Sequence, residues 1–176
     1  MARPNWNAQK VFIPGKVDVN RPYQKYKKVI TQFLNKHPIE GRSRKFFVDH
    51  FDGINFNRPF MNWAESTPYD QVIQAIQRSR ISLPILNPGC IIEAACQGVP
   101  SVMWEHGGFF NPLAQQLNLN IEHDAPPERF AEVANLLMTN EKVYRESVMA
   151  MQDYFIAHTY QGSLRYFNLM MEMIQS

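Results

Sequence analysis

The chain has 176 residues, 45% of them hydrophobic and 19% charged, a length for one domain and a balance that excludes disordered and low-complexity architectures. Lys and Arg number 18 against 16 Asp and Glu, a net charge of +2 that is too small for a dedicated nucleic-acid binder and so excludes nucleic acid as the main partner. Two cysteines, Cys90 and Cys96, fit neither a disulfide framework nor a zinc site, and with no signal-peptide core and no transmembrane run they point to a soluble, cytoplasmic protein.

Residues 10–14 form a short apolar run stopped by Pro14 and Gly15. Tyr23, Tyr26, Ile30 and Phe33 follow at helical spacing, with Pro22 at the first helical position and Lys36, His37 and Pro38 closing the run. Strand, loop and helix are predicted in that order. A second strand is predicted at 45–50, ending on the turn signal Asp52-Gly53, and then an irregular, Asn- and Pro-rich connection over 53–68. Helix resumes at Tyr69, with Val72, Ile73 and Ile76 on one face, and gives way at Arg80 to a strand over 81–86. Pro84 cannot donate to a ladder, so that strand lies at a sheet edge or stops near Leu83.

Residues 90–97 read as a helix that Gly98 and Pro100 terminate. After it come a strand at 101–104, a short helix at about 112–117 and a small strand at 120–122. The rest is helical: Phe130, Val133, Ala134 and Leu137 make one apolar face, Tyr144, Val148, Met151 and Phe155 a second, and Phe167, Met170, Met171 and Ile174 a third. Strands separated by helices imply parallel neighbours joined by right-handed crossovers. The predicted fold is α/β, a single doubly wound, Rossmann-like parallel sheet with helices on both faces and a helical C-terminal tail over about 141–176.

In such sheets ligands bind beyond the carboxyl ends of the strands, where the strand order reverses. That directs attention to 15–21, 87–93 and 105–111. Pro88 and Gly89 open a helix whose first amides lack intrahelical partners and carry the positive end of its dipole, a place where phosphate docks. Gly89 permits close backbone approach, and Glu93, one turn further, can accept hydrogen bonds from ribose hydroxyls; a turn glycine and a solvent-facing carboxylate are the plainer alternative. His106 is the histidine best placed for a site, against a solvated loop histidine. Lys25, Lys27 and Lys28 make a basic helix face that can lend one phosphate ligand. Phe51, Phe56, Phe60 and Trp63 can stack a base, dock a second domain or simply pack inward. Asp49 and Asp52 do not form an Asp-x-Asp pair and no His-Glu-x-x-His or Cys-x-x-Cys set occurs, so no metal is expected. Glycine-rich dinucleotide and phosphate-loop motifs are absent as well.

The stretch Asn87-Pro-Gly-Cys-Ile-Ile-Glu-Ala-Ala-Cys-Gln-Gly-Val-Pro-Ser-Val-Met103 resembles the donor-binding signature of glycosyltransferases of the two-Rossmann-domain, or GT-B, type: a glycine turn, a Glu-Ala pair in a helix, then Gly-x-Pro before a strand. Gly15-Lys16 ahead of a basic helix start resembles that family's phosphate-binding first loop, and 69–86 its helix and strand leading into the site. The likeness covers about 11–137.

The resemblance implies that 1–176 is one donor-binding domain for a nucleoside-diphosphate sugar, such as a UDP- or GDP-sugar, taken as substrate with no cofactor. Gly89 and Cys90 would offer amides to the diphosphate, Glu93 would hold the ribose, and the Gly15 loop with Lys16 and either Arg21 or Lys25 would neutralise the leaving group. His106 would reach the sugar or phosphate. Where the family commonly carries a second glutamate, eight positions before Glu93, this chain has Ile85. A complete GT-B enzyme has two such domains, and the acceptor site and base come mainly from the amino-terminal one. No catalytic residue is therefore assigned, and a missing N-terminal domain, a partner subunit or self-association is expected. Two other classes stand beside this reading, a non-catalytic nucleotide-binding or interaction module and half of a sugar-nucleotide 2-epimerase.

Overall fold

A computed structural model describes residues 5–13, 23–41, 53, 68–83, 88–104, 119–122, 124–157, 164, 168 and 171. The described elements run β1 (Lys10–Ile13), α1 (Tyr23–Leu34), β2 (Ile39–Gly41), α2 (Tyr69–Gln77), β3 (Ser79–Ser82), α3 (Pro88–Cys96), β4 (Met103–Trp104), β5 (Asn120–Ile121), α4 (Glu128–Thr139) and α5 (Glu141–Ala157). β1 pairs in parallel with β2 on one side and β3 on the other, and β4 pairs in parallel with β5. A parallel bridge between Ser82 and Ser101 joins the two groups. The order across the sheet is β2-β1-β3-β4-β5, the doubly wound α/β plan expected from the sequence.

Alternation along the strands sends side chains to two apolar layers. On one face Val11, Ile13, Ile39, Ile81 and Leu83 pack with Tyr26, Ile30, Phe33 and Leu34 of α1 and Phe130, Val133, Ala134 and Leu137 of α4. On the other, Phe12 meets Val72, Ala75 and Ile76 of α2, Ala94 of α3 and Val99. Each fully buried Val, Leu, Ile or Phe contributes roughly 1.5–3 kcal/mol. Polar groups in these layers are tied down: the buried Tyr26 hydroxyl donates to the Ala125 carbonyl at 2.9 Å. Of the predicted apolar stripes, Tyr26, Ile30 and Phe33 of α1, Val72 and Ile76 of α2, and Phe130, Val133, Ala134 and Leu137 of α4 are buried, as are Tyr144, Val148 and Met151 of α5, while Ile73 is half-buried. Met149 is exposed, and Leu164 and Met171 of the helical tail are also exposed.

The strands depart from the sequence expectation in two places. A strand at Ile39–Gly41 went unpredicted: the chain re-enters the sheet directly after the helix, with the Val11 amide donating to the Pro38 carbonyl at 2.9 Å. Its Ile-Glu-Gly sequence hides it. Glu40 is buried, and its Oε1 takes Lys10 Nζ at 2.6 Å and Arg78 Nε at 3.4 Å, the pairing that a buried carboxylate requires. The predicted strand at 45–50 and helix at 112–117 lie outside the described residues. β3 starts two residues early and takes in Arg80, yet it stops at Ser82, as Pro84 demands. It is no edge strand, since the Leu83 amide reaches Phe12 O at 2.8 Å while the Ser82 amide reaches Pro100 O at 2.9 Å.

The early start of β3 buries Arg80 against the corner between α4 and α5. Its Nε donates to Leu137 O at 3.0 Å, its Nη2 meets Glu141 Oε2 at 3.1 Å, and its guanidinium lies 3.8 Å above the Tyr144 ring. Hydrogen bonds from Arg80 and then Arg145 hold the Glu141 carboxyl below its ordinary value of 4.5. Burial pushes the Tyr144 hydroxyl up. Among the described residues no helix is long and apolar enough to cross a membrane.

The end of α3 is set by Gly98, whose φ of 69° is left-handed. The Val99 amide bonds Ala94 O at 2.9 Å and the Gly98 amide bonds Ala95 O at 2.9 Å, the two bonds of a Schellman cap, with Val99 and Ala94 in apolar contact across it. Gly98→Ala is expected to lower stability by about 1–2 kcal/mol through the left-handed backbone alone, read as a fall in the urea midpoint with unchanged slope. The Glu141 carboxylate contributes stability above the ordinary glutamate range and loses that contribution as pH falls through its depressed folded value. Urea titrations from pH 7 to 3 should therefore show the advantage of the wild type over Glu141→Gln shrinking toward the acid end.

Candidate functional site

The order β2-β1-β3 makes the chain turn one way after β1 and the other way after β3. The crossover through α1 covers one face of the sheet, and the crossover through α2 returns on the opposite face, as the two apolar layers record. In folds of this plan, helices that leave adjacent strands toward opposite faces mark the ligand-binding end of the sheet, at its carboxyl edge. In the 2-1-3-4-5 order that point lies between β1 and β3. α1 and α3, which follow those strands, both start at this edge because crossover helices run antiparallel to their strands.

α3 opens at Pro88 with Gly89 and Cys90 in its first turn. Ala94 and Ala95 are fully buried, which lets the helix lie close on the sheet. Gln77 of α2 donates to Gln97 Oε1 at 2.8 Å and fixes the far end of the assembly. Glu93 is half-buried, and it makes no hydrogen bond or ion pair among the described residues. Its charge is felt by the Cys96 thiol, which burial first and Glu93 next push above the ordinary value. Lys25 is exposed in the first half of α1, its Nζ 4.9 Å from the Tyr26 ring centroid.

Of the residues singled out from the sequence, Lys25, Gly89, Cys90 and Glu93 therefore belong to helices that start at the same sheet edge. Gly15, Lys16, Arg21 and His106 lie outside the described residues, as do Phe51, Phe56, Phe60 and Trp63. Two serines went unnoticed: Ser82 closes β3 and Ser101 faces it across the bridge, both buried, with hydroxyls that find no partner among the described residues. Serines in apolar runs carry no periodic signal that would have marked them. Among the described residues no three His, Cys, Asp or Glu side chains gather to hold a metal.

No protein-family model and no curated protein matches the sequence. The fold, by contrast, is shared with solved glycosyltransferase structures. TarM aligns over 96% of this chain and 36% of its own at 13% identity and a TM-score of 0.64. A UDP-glucose:anthocyanidin 3-O-glucosyltransferase in complex with UDP aligns over 96% of this chain and 41% of its own at 13% identity and a TM-score of 0.61. Os79 from O. sativa in complex with UDP aligns over 99% and 43%, at 11% identity and a TM-score of 0.57. The chain thus spans between 36% and 43% of the length of these proteins. At such identities the likeness speaks for the fold, and this chain has the fold of one Rossmann-like domain of a GT-B glycosyltransferase.

Proposed function

We propose that residues 1–176 are a donor-binding domain that takes a nucleoside-diphosphate sugar at the β1/β3 edge and needs a second domain or subunit to transfer the sugar. The observation that carries this reading is the reversal of strand order beside the start of α3, with Glu93 half-buried one turn inside and making no hydrogen bond or ion pair among the described residues. Two solved structures of the same fold hold UDP, which supports a pyrimidine nucleotide as the first ligand to try.

In this reading the Gly89 and Cys90 amides and the positive end of the α3 dipole meet the diphosphate. The Glu93 carboxylate accepts from the ribose hydroxyls. Lys25, with Lys16 and Arg21 of the first loop, balances the charge that grows on the leaving diphosphate, a task suited to preformed cations. Gly15 lets that loop approach, and His106 contacts the sugar or phosphate. Binding on these terms needs no metal. Transfer needs an acceptor held within reach of the anomeric carbon and a base for its hydroxyl, and effective concentration of that order comes from a second binding surface.

Calorimetry against UDP, GDP, ADP and their sugars should detect at least one ligand, and Glu93→Ala should weaken it by about 1–3 kcal/mol, roughly 5- to 150-fold in Kd. Folding of the variant should be unaffected, since alanine favours helix. No nucleotide binding at millimolar concentration would overturn the proposal. The chain by itself should release no sugar to an added acceptor; transfer by the purified 176-residue chain would refute the two-part reading.

A further inference from the structure

Residues 5–9 precede β1 and lie across the corner between α4 and α5. Only Ala8 of this segment is buried; Trp6 is 37% exposed. The grip on the segment runs through the indole: Trp6 stands edge-on to Tyr144 at 6.0 Å, Arg145 lies 4.7 Å over its ring, and Arg80 Nη1 reaches its carbonyl at 3.5 Å. One carboxylate aims both guanidiniums, because Glu141 binds Arg80 at 3.1 Å through Oε2 and Arg145 at 2.8 Å through Oε1. We propose that residues 5–9 form a releasable strap for which Glu141 is the catch.

The asymmetry of the two cations makes the strap separable from the core. Arg80 is 4% exposed in its side chain and keeps the Leu137 carbonyl and the Tyr144 face whatever Glu141 does. Arg145 is 56% exposed and has only Glu141 and the Trp6 ring to hold it among the described residues. Losing the Glu141 charge therefore frees Arg145 and loosens Trp6, and leaves β3, α4 and α5 in place. Both ion pairs are at least partly open to solvent, so added salt weakens the catch. The strap runs straight into Lys10 and the strand whose far end borders the β1/β3 edge.

Two amides separate strap opening from unfolding. The Ala8 amide donates to Asn5 O at 3.1 Å inside the strap, and the Val11 amide donates to Pro38 O at 2.9 Å inside the sheet. Amide exchange followed by NMR on the full chain should show Ala8 far less protected than Val11 in the wild type, and Ala8 about two- to fivefold faster still in Glu141→Gln, the scale of exposed ion pairs. In the wild type, raising NaCl from about 0.05 to 1 M should speed Ala8 in the same way, and in the variant it should not. An Ala8 rate in the variant equal to wild type overturns the proposal. So does protection of Ala8 equal to that of Val11 in the wild type, which would mean that the segment opens only with the sheet, or a wild-type Ala8 rate indifferent to salt.

Discussion

The hydrogen bonds between β1 and β3 are the constraint on which the rest depends. With β2 already on one side of β1, placing β3 on the other forces the intervening chain to cross back over β1 on the opposite face, and right-handedness leaves one way to do so. That crossing puts α2 over Phe12 and leaves Val11 and Ile13 to α1, so each face receives its own apolar layer. It also sends α1 and α3, which start at the same carboxyl edge, to opposite faces of the sheet. That divergence is a by-product of sheet order, present before any ligand-binding residue is chosen.

Much of this was readable from periodicity. The stripes of α1, α2 and α4 carry apolar residues three and four apart, and a helix with such a stripe has one place to put it. Pro84 announced the end of β3 by chemistry, because a residue without an N–H cannot extend a ladder. What escaped were segments whose burial depends on partners far away in sequence. Glu40 reads as surface until Lys10 and Arg78 arrive to pair it, and Arg80 reads as a helix end until Leu137 and Glu141 are beside it. No local pattern encodes a partner 61 residues away.

The stretch from Gly89 to Pro100 was the most informative in the sequence, and the fold divides it by purpose. Gly89, Cys90 and Glu93, at the start of α3, are the positions proposed to meet a ligand. Ala94, Ala95, Gly98 and Pro100 serve packing and chain reversal: the alanines allow close approach, Gly98 supplies the left-handed turn, and the carbonyl of Pro100 takes the Ser82 amide. Half of such a motif would therefore be kept by the fold even in a protein that bound nothing. For this reason the resemblance spoke more strongly about architecture than about the ligand.

Between β3 and β4 the described sheet is joined by the bridge of Ser82 and Ser101, with two buried hydroxyls lacking partners among the described residues at that joint. The Val102 amide on Ser82 O and the Ser82 amide on Pro100 O span it. β1 has strands bonded along both its sides, whereas the described backbone bonds between β3 and its other neighbour converge on Ser82. α4 packs on both β3 and β5, so side-chain burial under that helix, rather than the hydrogen-bond ladder, carries the joint between the two groups of strands.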